Sequence, residues 1–144
     1  MNDTNTNRPH ISFWMVGALA LIWNLMGVMN FVGQLNPNVV TAMPESHQAI
    51  IHGRPAWATI AFAIAVFGGT LGSILLLLKK MMAQYCFLAS LIGVMAQMIP
   101  NMRLAKSDIQ YGLFEIFMMM VLPLLVAAFL AWYTSRTSDK GWIK

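Results

Sequence analysis

The feature that most constrains this chain is a set of four long apolar runs, over residues 11–34, 56–78, 82–99 and 113–133. A helix needs about 20 mostly apolar residues to cross roughly 30 Å of hydrocarbon, and each run meets or approaches that length. Because backbone polar groups find no water inside a bilayer, such a run must satisfy them within its own helix. The pattern therefore predicts an all-α fold, a four-helix transmembrane bundle.

The composition agrees with a membrane protein. Of the 144 residues, 58% are hydrophobic and 10% are charged, whereas globular chains are roughly 45–50% apolar and about 25% charged. The net charge of +4 comes from basic residues scattered between the apolar runs. That scatter argues against a nucleic-acid partner and makes the lipid bilayer the expected one. We expect a single membrane domain over residues 11–134, between a polar N-terminal tail (1–10) and a basic C-terminal tail (135–144).

The connections between the runs differ in length and character. The short turn after the second run fits only an antiparallel pair of helices. In the longer connection after the first run, "VVTAMPESHQAIIHGR" has Val40, Met43, His47, Ile50 and Ile51 at helical spacing, which predicts a short amphipathic helix on the membrane surface. The side of the two termini has an excess of basic residues, which predicts that both termini are cytoplasmic. The basic residues on that side are Arg8, Lys79, Lys80, Arg136, Lys140 and Lys144, and those on the opposite side are Arg54, Arg103 and Lys106.

Polar side chains within the runs are the candidate functional residues. At about 100° per residue, Asn24 and Gln34 share one face of the first helix, and further polar residues lie near the same end of the later helices. One interpretation is helix packing through interhelical hydrogen bonds, worth about 0.6–2 kcal/mol each in membranes. The other is a polar vestibule beneath the surface helix, with a solute-binding site formed by Asn24, Gln34, Gln97, Asn101 and Glu115.

Small residues recur at four-residue spacing in the second and third runs. Such ridges let membrane helices approach closely, which matters because lipid offers no hydrophobic drive for helix association. We therefore expect helix packing at Gly27, Ala61, Ala65, Gly68, Gly69, Gly72, Ser73, Ala89 and Gly93.

The sequence offers no catalytic or metal-binding signature. No nucleophile, base and orienting acid occur together, and neither a phosphate loop nor a metal-ligand cluster is visible. Met98 and Met102 form an MxxxM pair that would suit Cu(I), but Pro100 is expected to end the third helix between them. Methionine also replaces leucine in apolar helices at little cost. We expect no enzymatic activity, no cofactor and no metal.

Two segments carry a resemblance to a known group of proteins. "WNLMG" (23–27) and "MPESHQAIIHGRPAWATIAFAIAVFGGTLGSILLLLKK" (43–80) resemble small bacterial inner-membrane proteins with four helices, some of them labelled "sugar transporter". The resemblance extends to about Gln97 and implies a bacterial inner-membrane location, but it assigns no role to any residue. Small multidrug-resistance exporters have a similar size, yet they use a glutamate in the first helix, where this chain has amides.

Two functions are consistent with these features. The first is transport or binding of a small neutral polar solute, with the amides as hydrogen-bonding groups. Because one four-helix bundle encloses little lumen, a homo-oligomer would offer a pathway between protomers. The alternative is a non-catalytic accessory subunit of a larger membrane complex, docked through the small-residue ridge of the second run.

Overall fold

The computed structural model describes residues 8–104 and 112–144, and all regular structure within them is helical. The first half contains α1 (Ile11–Gln34), α2 (Pro37–Thr41), α3 (Glu45–Gly53) and α4 (Ala56–Leu77). The second half contains α5 (Met82–Leu104), α6 (Leu113–Ile116), a π-helical turn (Phe117–Val121) and α7 (Leu122–Asp139). Residues 1–7 of the expected N-terminal tail lie outside the described residues.

Four stretches of the described chain are long and apolar enough to cross a membrane, and we call them the membrane helices. They are Ile11–Gln34, Ala56–Leu77, Met82–Arg103 and Leu113–Asp139. The expected all-α fold with four membrane-length helices is confirmed, and the chain is an integral membrane protein by this criterion.

Local sequence explains how the membrane helices begin and turn. His10 caps α1, because its Nδ1 accepts a hydrogen bond from the Ser12 N–H at 3.3 Å. Pro55 precedes α4, at a helix start where a missing N–H is no loss. Lys79 adopts a left-handed backbone conformation with φ of 58° in the turn after α4. This turn reverses the chain, so that α4 and α5 form the expected antiparallel pair.

The membrane helices pack in chain order. α1 packs on α4, α4 on α5, and α5 on α7, whereas contacts between α1 and α7 are sparse. One end of the bundle carries the start of α1 and the C terminus, and we call it the terminal end. There Phe13, Phe87, Leu130 and Ile143 belong to one buried apolar cluster. The opposite end lies beneath α3, and we call it the α3 end.

Small residues allow the closest approaches between helices. A methyl group placed on Gly93 would lie 2.6 Å from the Ala61 carbonyl oxygen and 2.9 Å from the Ala65 nitrogen, so α4 and α5 touch backbone to backbone. A methyl group on Gly69 would collide with the Asn24 side chain of α1. Among the small residues expected to pack, six are buried and two partly buried: Ala61, Ala65, Gly69, Gly72, Ser73 and Gly93, then Gly27 and Gly68.

Ala89 was expected to pack against another helix, but it is exposed on α5. A strict four-residue spacing drifts about 40° around the helix at each step. Ser90 faces α4 instead, and its hydroxyl donates to the Ala65 carbonyl at 2.6 Å. The prediction that Ala89 packs is therefore wrong, and the next residue, Ser90, makes the contact with α4 instead.

The connection after α1 holds two short helices where one was expected. α3 begins at Glu45, directly after Pro44, and its Ile50 is only 2% exposed. Val40, which was expected to share this amphipathic pattern, belongs to α2 and is also buried. Since α3 contacts α5, the connection covers one end of the bundle.

Two prolines lie within membrane helices rather than at their ends. α5 continues through Pro100 to Leu104, so the predicted end of the third helix at residue 99 is wrong, and Met98 and Met102 lie about one turn apart on a continuous helix. Neighbouring groups can compensate for the backbone hydrogen bond that a proline removes. Pro123 lies in the last membrane helix and follows the π-helical turn Phe117–Val121, and such wider turns often accompany an interruption of the helix.

Residues 135–144 were expected to form a C-terminal tail, but the last of them pack against the bundle. Trp142 packs edge-on against Phe13, with ring centroids 6.1 Å apart, and Ile143 is 1% exposed. The Lys144 N–H donates to the Lys79 carbonyl at 2.8 Å. The C-terminal residues therefore close the terminal end of the bundle.

Large apolar side chains cover the outside of the membrane helices. Ile22, Ile60, Ile92 and Phe129 are 57%, 61%, 67% and 46% exposed. Exposure of this much apolar surface to water is unfavourable. The bundle exterior therefore indicates contact with lipid.

Candidate functional site

A cavity of about 330 Å³ lies among the membrane helices beneath α3. Its volume is at the low end of the roughly 300–1,000 Å³ typical of small-molecule sites. Four of the five candidate solute-binding residues line it, namely Asn24, Gln34, Gln97 and Asn101. The structure thus brings amides from α1 and α5 to one enclosed space, with His47 of α3 at its margin.

The two amides of α5 that line the cavity are both buried. Gln97 is 9% exposed and Asn101, about one turn further along α5, is 6% exposed. The Asn101 Oδ1 atom is buried and accepts no hydrogen bond within the described part of the chain. Leaving such an atom unpaired costs about 1–3 kcal/mol, so buried polar atoms are usually paired. Asn101 lines the cavity, so a ligand bound there is one source of the missing hydrogen-bond donor.

Asn24 borders the cavity but is already bonded within the protein. Its Nδ2 donates to the Ala20 carbonyl at 2.8 Å and to Ser73 Oγ at 3.4 Å. The Ser73 hydroxyl in turn donates to the Gly69 carbonyl at 2.8 Å. Because the bond to Ser73 connects α1 to α4, Asn24 acts at least in part as the packing residue that one interpretation of the sequence expected.

Arg54 enters the cavity from the link between α3 and α4. Its guanidinium donates to Gln34 Oε1 at 2.8 Å and lies 5.2 Å from the centroid of the Phe62 ring. Gln34 also donates to the Asn30 side chain on the next turn of α1. Burial lowers the pKa of Arg54 from its ordinary value, because desolvation disfavours the charged form.

Sequence reasoning missed the place of Arg54 in this site. The available signal was its position directly before Pro55, because a residue before proline is held extended and cannot continue the preceding helix. Its backbone has φ of −78° and ψ of 125°, and the side chain lies against α1 and α4. Other lining residues that were not predicted to belong to the site are Asn30, Phe62, Phe87 and Ser90.

Glu115, the fifth candidate, is not among the residues that line the cavity. Its carboxylate accepts hydrogen bonds from Ser46 Oγ at 3.0 Å and from the Gly112 N–H at 3.2 Å. It also lies 3.8 Å from His47 Nδ1. Since it sits in the first turn of α6, its carboxylate caps that helix and fastens α3 to the last membrane helix.

Apolar side chains form most of the cavity wall. Met118, Met119 and Pro123 line the side near the π-helical turn, where the last membrane helix makes only sparse contact with α1. Toward the terminal end the wall is formed by Phe87, Val126, Ala127 and Leu130. The cavity is therefore amphipathic, with its charged and most of its amide groups at the α3 end and an apolar body below.

The lining residues supply hydrogen-bonding groups and one positive charge. The Ser90 hydroxyl already donates to the Ala65 carbonyl at 2.6 Å, which leaves it poorly placed as a nucleophile. Within residues 8–104 and 112–144, no three His, Cys, Asp or Glu side chains are grouped so that they could hold a metal ion. The arrangement is suited to binding a small molecule through hydrogen bonds and apolar contact.

Comparisons with known proteins add no assignment. No protein-family model, curated protein or solved structure matches this chain. The function of the cavity is therefore argued from its own geometry.

Proposed function

We propose that this chain binds a small polar solute in the cavity beneath α3 and carries it across a bacterial inner membrane. The observation that carries the proposal is the buried Asn101 Oδ1, which has no hydrogen-bond partner among the described residues and belongs to a side chain that lines a cavity of small-molecule size. Amide groups both donate and accept hydrogen bonds without carrying charge. They suit the hydroxyl and carbonyl groups of a solute such as a polyol or sugar.

The proposed orientation places both termini in the cytoplasm. Basic residues favour the cytoplasmic side of membrane proteins, and Lys79, Lys80, Arg136 and Lys140 all belong to the terminal end of the bundle. Of the three basic residues expected on the other side, Lys106 lies outside the described residues. In this orientation the α3 end, and with it the polar part of the cavity, faces away from the cytoplasm.

Transport requires a second arrangement of the helices. In this structure the apolar cluster of Phe13, Phe87, Leu130 and Ile143 closes the terminal end. The sparse contact between α1 and α7 is the place where helices can separate with the least loss of packing. A homo-oligomer would offer another route between protomers, so the number of copies in the membrane bears directly on the mechanism.

The proposal is tested by replacing Asn101 with leucine, which keeps a similar volume and removes the amide. Protein extracted from its native membranes in mild detergent should carry an additional small-molecule mass in a native mass spectrum. Asn101→Leu should lose that mass while keeping its thermal midpoint, because the replaced Oδ1 is unpaired within the described residues. A bare wild-type protein, or a variant that keeps the added mass, would contradict the proposal.

The matched control is Ala89→Leu, on the exposed surface of α5. This variant adds a leucine to the same helix without touching the cavity, so it should retain the added mass. Once the mass identifies the solute, uptake of that solute into proteoliposomes distinguishes transport from binding alone.

The alternative role as an accessory subunit was suggested by the small-residue ridge of the second run, which was expected to dock on another protein. Ala61, Ala65, Gly69 and Ser73 of α4 are buried against α1 and α5, so their ridge is not free to dock on another protein. A stoichiometric second polypeptide in the same native mass spectrum would restore that role.

A further inference from the structure

Arg54 is the one Lys, Arg, Asp or Glu residue among the described residues that line the cavity. Its two neighbours are the Gln34 amide, which accepts one hydrogen bond at 2.8 Å, and the Phe62 ring. Neither neighbour carries a charge. The Nε atom of Arg54 is buried and donates to no described residue. Among the described residues no carboxylate neutralises the guanidinium, which therefore brings a positive charge to the cavity.

No described carboxylate forms a salt bridge with Arg54. Glu115 is bonded to Ser46 and the Gly112 N–H, Glu45 is exposed at the start of α3, and Asp139 is exposed at the end of α7. A buried charge is unfavourable unless a partner of opposite charge offsets its desolvation. The planar fork of a guanidinium matches the oxygens of a carboxylate or phosphate.

We propose that the ligand of this cavity carries an anionic oxygen group, which Arg54 binds at the α3 end, joined to an apolar body. This inference rests on the proposed function and narrows its small polar solute to an acidic amphiphile. The apolar body lies along Phe62, Val94 and Phe87, which line the cavity below the charge. Asn101 and Gln97 then bond polar atoms next to the anionic group.

The arrangement matches the way an amphiphile lies in a bilayer. The charge of Arg54 is at the end of the membrane helices, just before α4 begins, and the apolar wall extends from there toward Leu130 in α7. The side between α1 and the last membrane helix, where contacts are sparse, gives a ligand from the membrane a route of entry. The same chemistry could be offered by a soluble organic acid or by an anionic lipid headgroup.

Two probes that differ only in charge test the inference on the wild-type protein. Octanoate and octanamide share an eight-carbon body, but only octanoate carries an anionic group at neutral pH. We expect octanoate to bind purified wild-type protein at least about tenfold more tightly, as measured by isothermal titration calorimetry in a neutral detergent, because a charge-assisted hydrogen bond is stronger than a neutral one. Equal affinities for the two probes would overturn the inference.

Variants of Arg54 assign the preference to this side chain. Arg54→Gln should bind both probes with similar affinity, whereas Arg54→Lys, which keeps the charge but not the fork, should retain part of the preference. The matched control is Arg136→Gln, since Arg136 also stacks on an aromatic ring, 5.5 Å from the Trp132 centroid, but lies outside the cavity lining. A preference for octanoate that survives in Arg54→Gln would overturn the assignment.

A competition experiment separates the two sources of the anionic group. The protein is placed in phosphatidylcholine bilayers with or without phosphatidylglycerol, and octanoate binding is measured in each. If phosphatidylglycerol displaces octanoate from the wild-type protein and equally from Arg136→Gln, the lipid headgroup is the Arg54 ligand. Unchanged octanoate affinity identifies a soluble acid.

Failure of this inference differs from failure of the proposed function. If both probes bind equally and Asn101→Leu abolishes both, the cavity binds solutes without selecting for charge, and only the acidic class is wrong. If neither probe binds and native mass spectra show a bare protein, both the inference and the proposed function are wrong.

Discussion

Asn24 on α1 and Asn101 on α5 are two buried asparagines of this bundle that differ in their hydrogen bonds. Both are buried, at 8% and 6% exposure, and both border the same cavity. Asn24 donates to Ala20 and Ser73, while the Asn101 Oδ1 accepts no hydrogen bond from a described residue. The difference lies in the partners that the surrounding helices provide, so burial alone does not separate packing from binding.

The same contrast extends to the two ends of the bundle. At the terminal end, Phe13, Phe87, Leu130 and Ile143 fill the space between the helices, and the C-terminal residues close it. At the α3 end the helices leave a cavity of about 330 Å³, covered by a short helix. The terminal end is therefore filled by apolar side chains, whereas the α3 end holds a cavity.

The largest effect should come from truncating the apolar cluster at the terminal end. Ile143 is 1% exposed, and Ile143→Ala should lower the free energy of unfolding by about 2–5 kcal/mol, because it removes buried methyl groups and leaves a cavity. Unfolding by heat or denaturant in mild detergent measures the loss. Solute retention in the native mass spectrum should persist in the fraction that stays folded.

Ile92→Ala is the matched control for this experiment, since Ile92 is 67% exposed on α5. It removes the same atoms from the lipid-facing surface and should cost clearly less. Equal losses in the two variants would show that the terminal end is no better packed than the bundle exterior.

A smaller effect is expected at Asn24, where the two regions meet. Asn24→Leu removes the hydrogen bonds to Ala20 and Ser73 and should lower the free energy of unfolding by about 0.6–2 kcal/mol. Asn101→Leu removes an unpaired oxygen and should change it much less. Thermal unfolding of the two variants side by side gives the comparison. An Asn24→Leu protein of unchanged stability that loses its solute would instead make Asn24 a binding residue.

Much of this organisation can be predicted from the sequence, because it depends on local properties. Apolar length determines the four membrane helices, and Pro44 and Pro55 mark the starts of α3 and α4. Depth along each helix was enough to group Gln34, Gln97 and Asn101 at one end. Helical periodicity also identified the face of α4 that packs against its neighbours.

The rest depends on tertiary contacts that local pattern does not specify. The effect of Pro100 on α5 depends on groups outside its own helix, and α5 continues past it. The four-residue spacing could not choose between Ala89 and Ser90, because it drifts around the helix. Glu115 was expected at the cavity from its depth alone, whereas its position depends on Ser46 in a helix 69 residues earlier.

The smallest effect should come from the contact that holds α3 over the cavity. Glu115→Ala removes the acceptor for Ser46 Oγ and should lower the free energy of unfolding by about 0.5–1 kcal/mol, because the side chain is 31% exposed and partly screened by solvent. Glu115→Gln keeps an acceptor oxygen and should lose less. Hydrogen exchange of the α3 amides should be faster in Glu115→Ala, with exchange in α5 unchanged as the internal control. If α3 exchanges equally in both variants and the wild type, its position depends on the burial of Ile50 rather than on the carboxylate. The cavity would then be covered by apolar packing at both of its ends.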